Sequence, residues 1–147
     1  MKILAIASGG GHWIQLQRLV PAFVDHEVVY ISTSLGFAAM VKDHQFYSVP
    51  DANRWNKLKL IKMGYIVFNK VFSIKPNVII STGAAPGLMG IIAGRLIGSK
   101  TIWIDSIANA EKLSMSGKIA SFFAHKCYTQ WSHLTSSKVI FHGNIIG

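Results

Sequence analysis

Lys2-Ile3-Leu4-Ala5-Ile6-Ala7-Ser8-Gly9-Gly10-Gly11-His12 is an apolar run that stops on three glycines and a histidine. A short apolar run closed by a turn signal reads as a buried strand. His12–Phe23 follows, with Trp13, Leu16, Leu19 (or Val20) and Phe23 at three- to four-residue spacing, the repeat of a one-sided helix. The same order of strand, loop and helix recurs down the chain. Glu27–Ser32 (EVVYIS), Gln45–Val49, Asn77–Ser81 (NVIIS), Lys100–Ile104 (KTIWI), Lys126–Gln130 and Lys138–Phe141 read as strands. Ser34 is placed to cap a short helix to Val41. Arg54–Ser73, Pro86–Ile97 and Ser116–Ala124 read as helices, the last with a cap at Ser114 or Ser116. Apolar strands alternating with helices predict an α/β fold, a Rossmann-like parallel sheet with helices on both faces. Such sheets bind ligands at the carboxyl ends of their strands. Function is therefore expected in the loops that follow the strands.

The 147 residues are expected to form one domain over 1–147. Half of them are hydrophobic and 14% are charged, which excludes a disordered chain. Cys127 is alone, so a disulfide scaffold is excluded, and it reads as a core residue. Lys and Arg number 15 against 6 acids, giving a net charge of +9 and a pI near 9.9. A mean hydropathy of +0.36 is high for a free monomer and points to surface meant for a membrane, a partner, or both. Lys2–Ala7 is short for a signal sequence and runs into glycines instead of a cleavage site. Pro76–Gly94 is the longest uncharged run, but its Pro, Ser, Thr and Gly residues divide it into strand, turn and helix. The compartment expected is the cytoplasm, at a membrane surface.

Three loops carry candidate chemistry. Ser8-Gly9-Gly10-Gly11-His12 combines glycines that permit close backbone approach with a helix start that suits a phosphate. His12 stands at the mouth of this cleft as a candidate general base; the plain alternative is a tight turn with a helix-start histidine. Dinucleotide binding fails, because G-x-G-x-x-G needs a glycine where Ile14 stands and no acid follows the second strand, which ends in Ser32-Thr33. Neither a P-loop nor a G-x-S-x-G elbow is present, and the histidines show no metal-binding spacing. The second loop, Ser81–Gly87, is built from small residues, with Pro86 suited to a first helical turn. Gly83, Gly87, Gly90, Gly94 and Gly98 then give a stripe that reads as a helix packed close on the sheet. Asp105, in the third loop, can contact a sugar hydroxyl, act as a base, orient His12, or simply cap a turn.

Arg54–Ser73 has two apolar sides. Projected as a helix, Trp55, Ile61, Tyr65, Phe68 and Phe72 fall on one, and Leu60, Met63, Val67 and Val71 on the other, with Lys59, Lys62 and Lys70 between. One side can cover the sheet. The other needs a bilayer interface or another chain, unless both are buried within the domain.

Several segments together resemble a known family. Ala7–His12 resembles the SSGGH loop of a family of glycosyltransferase subunits. Asp105-Ser106 with Leu113-Ser114-Met115-Ser116-Gly117-Lys118 resembles its ES…LS(L/M)SGK segment, and Thr129-Gln130-Trp131 its VQW segment. Thr82-Gly83-Ala84-Ala85-Pro86 and Phe141-His142-Gly143 also fit. The family is the membrane-anchor subunit of the eukaryotic dolichol-linked GlcNAc transferase, with bacterial exopolysaccharide relatives of the PssD type. More distantly, the chain is similar to the amino-terminal half of the peptidoglycan lipid-intermediate GlcNAc transferase. Gly9 replaces the family's second serine, and Asp105 its glutamate.

The resemblance implies the amino-terminal half of a GT-B glycosyltransferase. A separate small subunit would supply the donor-binding half, so no cofactor is expected beyond a UDP-sugar held mainly by that partner. The acceptor implied is a polyprenyl-diphosphate-linked sugar. His12 and Asp105 are then the catalytic candidates. Ser8, Gly9, Gly10, Gly11, Thr82, Gly83 and Ser106 are expected to hold or shape the acceptor and its phosphates, and Lys118 to meet phosphate or partner. Eukaryotic members carry an amino-terminal membrane span. With none here, contact is expected to be peripheral, on the cytoplasmic face, through Trp55, Lys59, Lys62, Tyr65, Phe68 and Phe72. The alternative is a non-catalytic anchor that enhances a complete partner enzyme. A nucleic-acid-binding module rests on the basic charge alone, with no accompanying motif, so no nucleic-acid partner is expected.

Overall fold

The computed structural model describes residues 1–53 and 55–145. Its strands are β1 (Lys2–Ala7), β2 (Glu27–Ser32), β3 (Gln45–Ser48), β4 (Val78–Gly83), β5 (Lys100–Ile104), β6 (Lys126–Thr129) and β7 (Ile140–Phe141). They form one sheet in the order β3-β2-β1-β4-β5-β6-β7, every pair parallel. The opening apolar run is thus central: Ile3 pairs with Val28 on one side and Val78 on the other. Its residues alternate between two cores. Leu4 and Ile6 join Val29, Ile31, Ile79, Trp103 and Cys127 on one face. Ile3, Ala5 and Ala7 join Val28 and Tyr30 on the other. Burial on both faces explains why the strands read as continuous apolar runs.

Helix α1 (Gly11–Gln17) buries Trp13 and Leu16 on the second face. It is shorter than the expected His12–Phe23. Pro21 has no N–H to continue the ladder and biases Val20 away from the α conformation, so Val20–Phe23 forms a 3-10 turn instead. Phe23 still reaches the core. The helix expected after Ser34 is a 3-10 helix over Leu35–Val41, and the Ser34 side chain makes no cap bond to it.

Helices α2 (Lys57–Ile74), α3 (Ala85–Leu96) and α4 (Met115–Phe123) cover the first face. The expected start of α2 at Arg54 lies outside the described residues. The observed start is set by Asn56, whose side chain accepts from the Lys59 N–H at 3.1 Å, an N-cap bond. Trp55 therefore precedes the helix and does not belong to its face. Met63, Gly64, Val67 and Val71 are buried, while Leu58, Ile61, Tyr65 and Phe72 remain exposed, Tyr65 at 70%. Phe68 departs from the expected outward set: it is half-buried, packs on the core and meets Phe72 edge-on at 5.9 Å. Lys70 leaves the wedge between the faces to lie over the Tyr47 ring at 4.1 Å.

The glycine stripe is a packing device. A Cβ at Gly90 would overlap Ile6, one at Gly94 would overlap Ile79, and one at Gly87 would overlap Ser81. Their absence lets the α3 backbone settle directly on β1, β4 and β5, as predicted for these three; of the other two in the stripe, Gly83 ends β4 against His12 and Gly98 follows the helix with nothing within 4 Å of a Cβ there. The Pro76–Gly94 run is divided between strand and helix as expected, and among the described residues no helix is long and apolar enough to cross a membrane.

Candidate functional site

The loops after β1, β4 and β5 meet at the carboxyl end of the sheet. Between them lies a cleft of about 370 Å³, lined by Gly11, His12, Gly83, Asp105, Ser106 and the start of α4 at Ser114–Ser116, among others. Gly11 and His12, Gly83, and Asp105 and Ser106, flagged at three separate strand ends, thus share one cavity.

His12 is held by β4. Its Nδ1 lies 3.0 Å from the Thr82 carbonyl oxygen, and the Thr82 hydroxyl donates back to the His12 carbonyl at 2.6 Å. A carbonyl only accepts, so Nδ1 carries the proton in this contact and Nε2 keeps its lone pair. The imidazole packs closely against Gly83: a Cβ there would stand 2.5 Å from Nδ1, and φ is +122°. Glycine is required on both counts.

Thr82 was expected to touch the acceptor. It is fully buried, and both its hydroxyl and its carbonyl are engaged with His12. Its contacts within the protein serve to position the histidine.

Asp105 is 2% exposed, and both its oxygens are occupied. Oδ1 accepts from Trp103 Nε1 at 3.0 Å and from the Ser114 hydroxyl at 2.6 Å. Oδ2 accepts from the Ser114 N–H at 2.9 Å and from Asn109 Nδ2 at 3.2 Å. Ser114 in turn caps α4, its Oγ accepting from the Gly117 N–H at 2.9 Å. The carboxylate thus staples the loop after β5 and sets where α4 begins. Of the roles open to Asp105, orienting His12 is not the one its hydrogen bonds serve: the contact on Nδ1 is the Thr82 carbonyl. Burial, and then the Asp105 charge, push the neighbouring Cys127 thiol up to about 12. This is the inert core cysteine the sequence suggests.

The glycine loop divides its tasks. Gly11 lines the His12 cleft, and Ser8 lines a second, apolar cavity next to it. Gly9 faces away: its N–H donates to Thr33 Oγ1 at 2.9 Å, and its Cα backs onto Phe37. Gly10 takes φ +71° ahead of α1. Ser106 Oγ accepts from Gln15 Nε2 at 2.9 Å and from the Ala108 N–H at 3.1 Å. Lys118 is exposed on α4 and is not among the residues lining the cleft.

Two glutamines escaped the sequence reading. Gln15 and Gln130 are buried and joined by a 2.7 Å bond from Gln130 Nε2 to Gln15 Oε1. Gln15 Oε1 also accepts from the Ile107 N–H, and Gln130 Nε2 also donates to the Asp105 carbonyl. Gln130 Oε1 accepts from the Ile145 N–H. The pair ties α1, which carries His12, to the β5 loop and the C-terminal segment. A glutamine on the core side of α1, and the Thr129-Gln130-Trp131 segment, were the signals available.

The protein-family model "Oligosaccharide biosynthesis protein Alg14 like" matches residues 49–145. A search of curated protein sequences finds no match. Among solved structures, MurG of Acinetobacter baumannii superposes with a TM-score of 0.78 at 15% identity, over 97% of this chain and 46% of that one. UDP-GlcNAc 2-epimerase of Methanocaldococcus jannaschii gives 0.73 at 13%, over 99% and 46%. The epimerase of Neisseria meningitidis, bound to UDP-GlcNAc, gives 0.68 at 12%, over 99% and 47%. The chain spans less than half the length of these proteins, and at such identities the likeness is one of fold: that of the N-terminal half of GT-B proteins. The segments Asp105–Lys118 and Thr129–Trp131 lie within the matched residues, on a half-GT-B fold that also brings His12 to the cleft, and the chain belongs to the Alg14-like family of oligosaccharide biosynthesis proteins.

Proposed function

We propose that the chain is the acceptor-side subunit of a two-component glycosyltransferase at the cytoplasmic face of a membrane. A partner subunit with the C-terminal GT-B half holds the UDP-sugar and is recruited by this chain. The acceptor is a polyprenyl-diphosphate-linked sugar. The observation that carries the reading is the His12 geometry: a histidine held at Nδ1 by a backbone carbonyl and lining a cleft at the carboxyl end of the sheet.

In the reaction, the acceptor hydroxyl oxygen bonds to the anomeric carbon of the donor from the face opposite UDP. The anomeric C–O bond to UDP breaks, UDP leaves with the electron pair, and the hydroxyl proton passes to His12 Nε2. Ser106 and the backbone around Gly11, Gly83 and Ser116 line the space for the acceptor. Asp105 works through the loop it staples, as a positioning residue.

The test is sugar transfer from labelled UDP-sugars to a lipid-diphosphate acceptor by this chain, the partner, and both together. Activity is expected only in the mixture. His12→Ala should lower turnover by ~10²–10⁴-fold without lowering complex formation, the loss typical of a missing general base. Full activity from the partner alone would instead make this chain a non-catalytic anchor, for which the exposed apolar residues of α2 and α4 would be sufficient reason.

A further inference from the structure

We infer that the apolar cavity beside the His12 cleft holds the isoprene units of the acceptor lipid nearest its diphosphate; this rests on the reading of the chain as an acceptor subunit. The cavity measures about 460 Å³ and is walled by three helix starts (Leu60 of α2, Pro86, Leu88 and Met89 of α3, Met115 and Ile119 of α4) and by the segment before α2, which brings Asp51, Ala52 and Asn53 to it. It shares Ala84, Met115 and Ser116 with the His12 cleft, so the two cavities adjoin along a common wall. An acceptor whose hydroxyl meets His12 and whose diphosphate lies at the junction has this apolar space directly beyond it.

Two residues lining the cavity are exposed, Trp55 at 81% and Ile119 at 40%. Leu58 and Ile61 of α2 and Phe122 of α4 are exposed on the helices that wall it. A chain leaving the cavity therefore meets a surface suited to hydrocarbon. A docked protein helix would fill the apolar cavity as well, but it would give no reason for that cavity to share a wall with the His12 cleft. The shared wall favours one amphiphile occupying both.

The experiment uses the assembled enzyme in solution without vesicles, so that membrane partitioning contributes nothing. The acceptors are diphosphate-linked sugars ending in a methyl, one isoprene unit or three. Each buried methylene contributes about fourfold in affinity, so kcat/KM should rise at least tenfold from methyl to three units. Ile119→Glu, which places a charge on the wall, and Ala52→Phe, which fills the cavity without charge, should each bring that ratio towards one. A folding defect would lower all three acceptors alike and leave the ratio unchanged. A wild-type ratio near one, or a ratio that neither variant alters, overturns the inference and leaves the acceptor reading standing. No transfer to any acceptor by the assembled pair overturns both.

Discussion

Both oxygens of Asp105 accept from Trp103, Asn109 and Ser114, so this carboxylate organises its own loop. Asp105→Asn would replace one acceptor oxygen with an NH₂ group facing donors. Hydrogen bonds to charged groups contribute ~1.5–3 kcal/mol, and a buried donor left unpaired costs a similar amount. Chemical denaturation should therefore show a loss of about 2–3 kcal/mol, and an unchanged midpoint would show that the staple contributes nothing. His12 and Asp105 were legible as functional candidates because strand ends are where a parallel sheet exposes polar side chains. Their separate roles were not. The sequence does not reveal that the Thr82 carbonyl, 70 residues from His12, is what holds the imidazole, a role that was one of several open to Asp105. Gln15 and Gln130 were less visible still: a single buried amide interrupts no apolar repeat, and its bonds reach from α1 to the other end of the chain.

Helix α3 shows how much an element owes to what its sequence omits. Gly87, Gly90 and Gly94 bring its backbone down onto the sheet, and their three- to four-residue spacing was enough to predict it. Gly90→Ala would drive a methyl group into Ile6. Helix propensity favours alanine over glycine by up to ~1 kcal/mol, but overpacking a core typically costs ~1–3 kcal/mol. Net destabilisation should appear in urea midpoints, and a gain in stability would mean that α3 can lift without loss. Element boundaries were least legible where a cap or a proline decides them. Asn56 starts α2, although the apolar repeat extends back to Trp55, and Pro21 ends the α-helical run that the spacing of Trp13, Leu16 and Phe23 carries onward. The two-sided pattern of α2 is observed as one buried and one outward face, but Trp55 and Phe68, both read as outward, lie respectively ahead of the helix and half-buried on the core.

Over the whole molecule, positive charge and outward apolar side chains combine. Exposed Lys59 and Lys62 accompany Ile61 and Tyr65 on α2. If this surface rests on an anionic leaflet, each lysine contributes ~1 kcal/mol, and Lys59→Ala with Lys62→Ala together should weaken binding to phosphatidylserine-containing vesicles by roughly 30-fold. Equal binding of the variant and the parent chain in a sedimentation assay would place the membrane contact elsewhere. Periodicity and loop composition told the fold class, because buried parallel strands declare themselves one at a time. Strand order did not follow from the same signals: each strand is apolar on both faces, and nothing in β1 names its neighbours. That order bears on how the chain is made. β1 can pair with β2 soon after synthesis, but its other edge stays open until β4 leaves the ribosome. Parallel pairings between distant segments close slowly, and an open apolar strand edge invites pairing with other chains. Nascent chains stalled before β4 are therefore the species most in need of a chaperone.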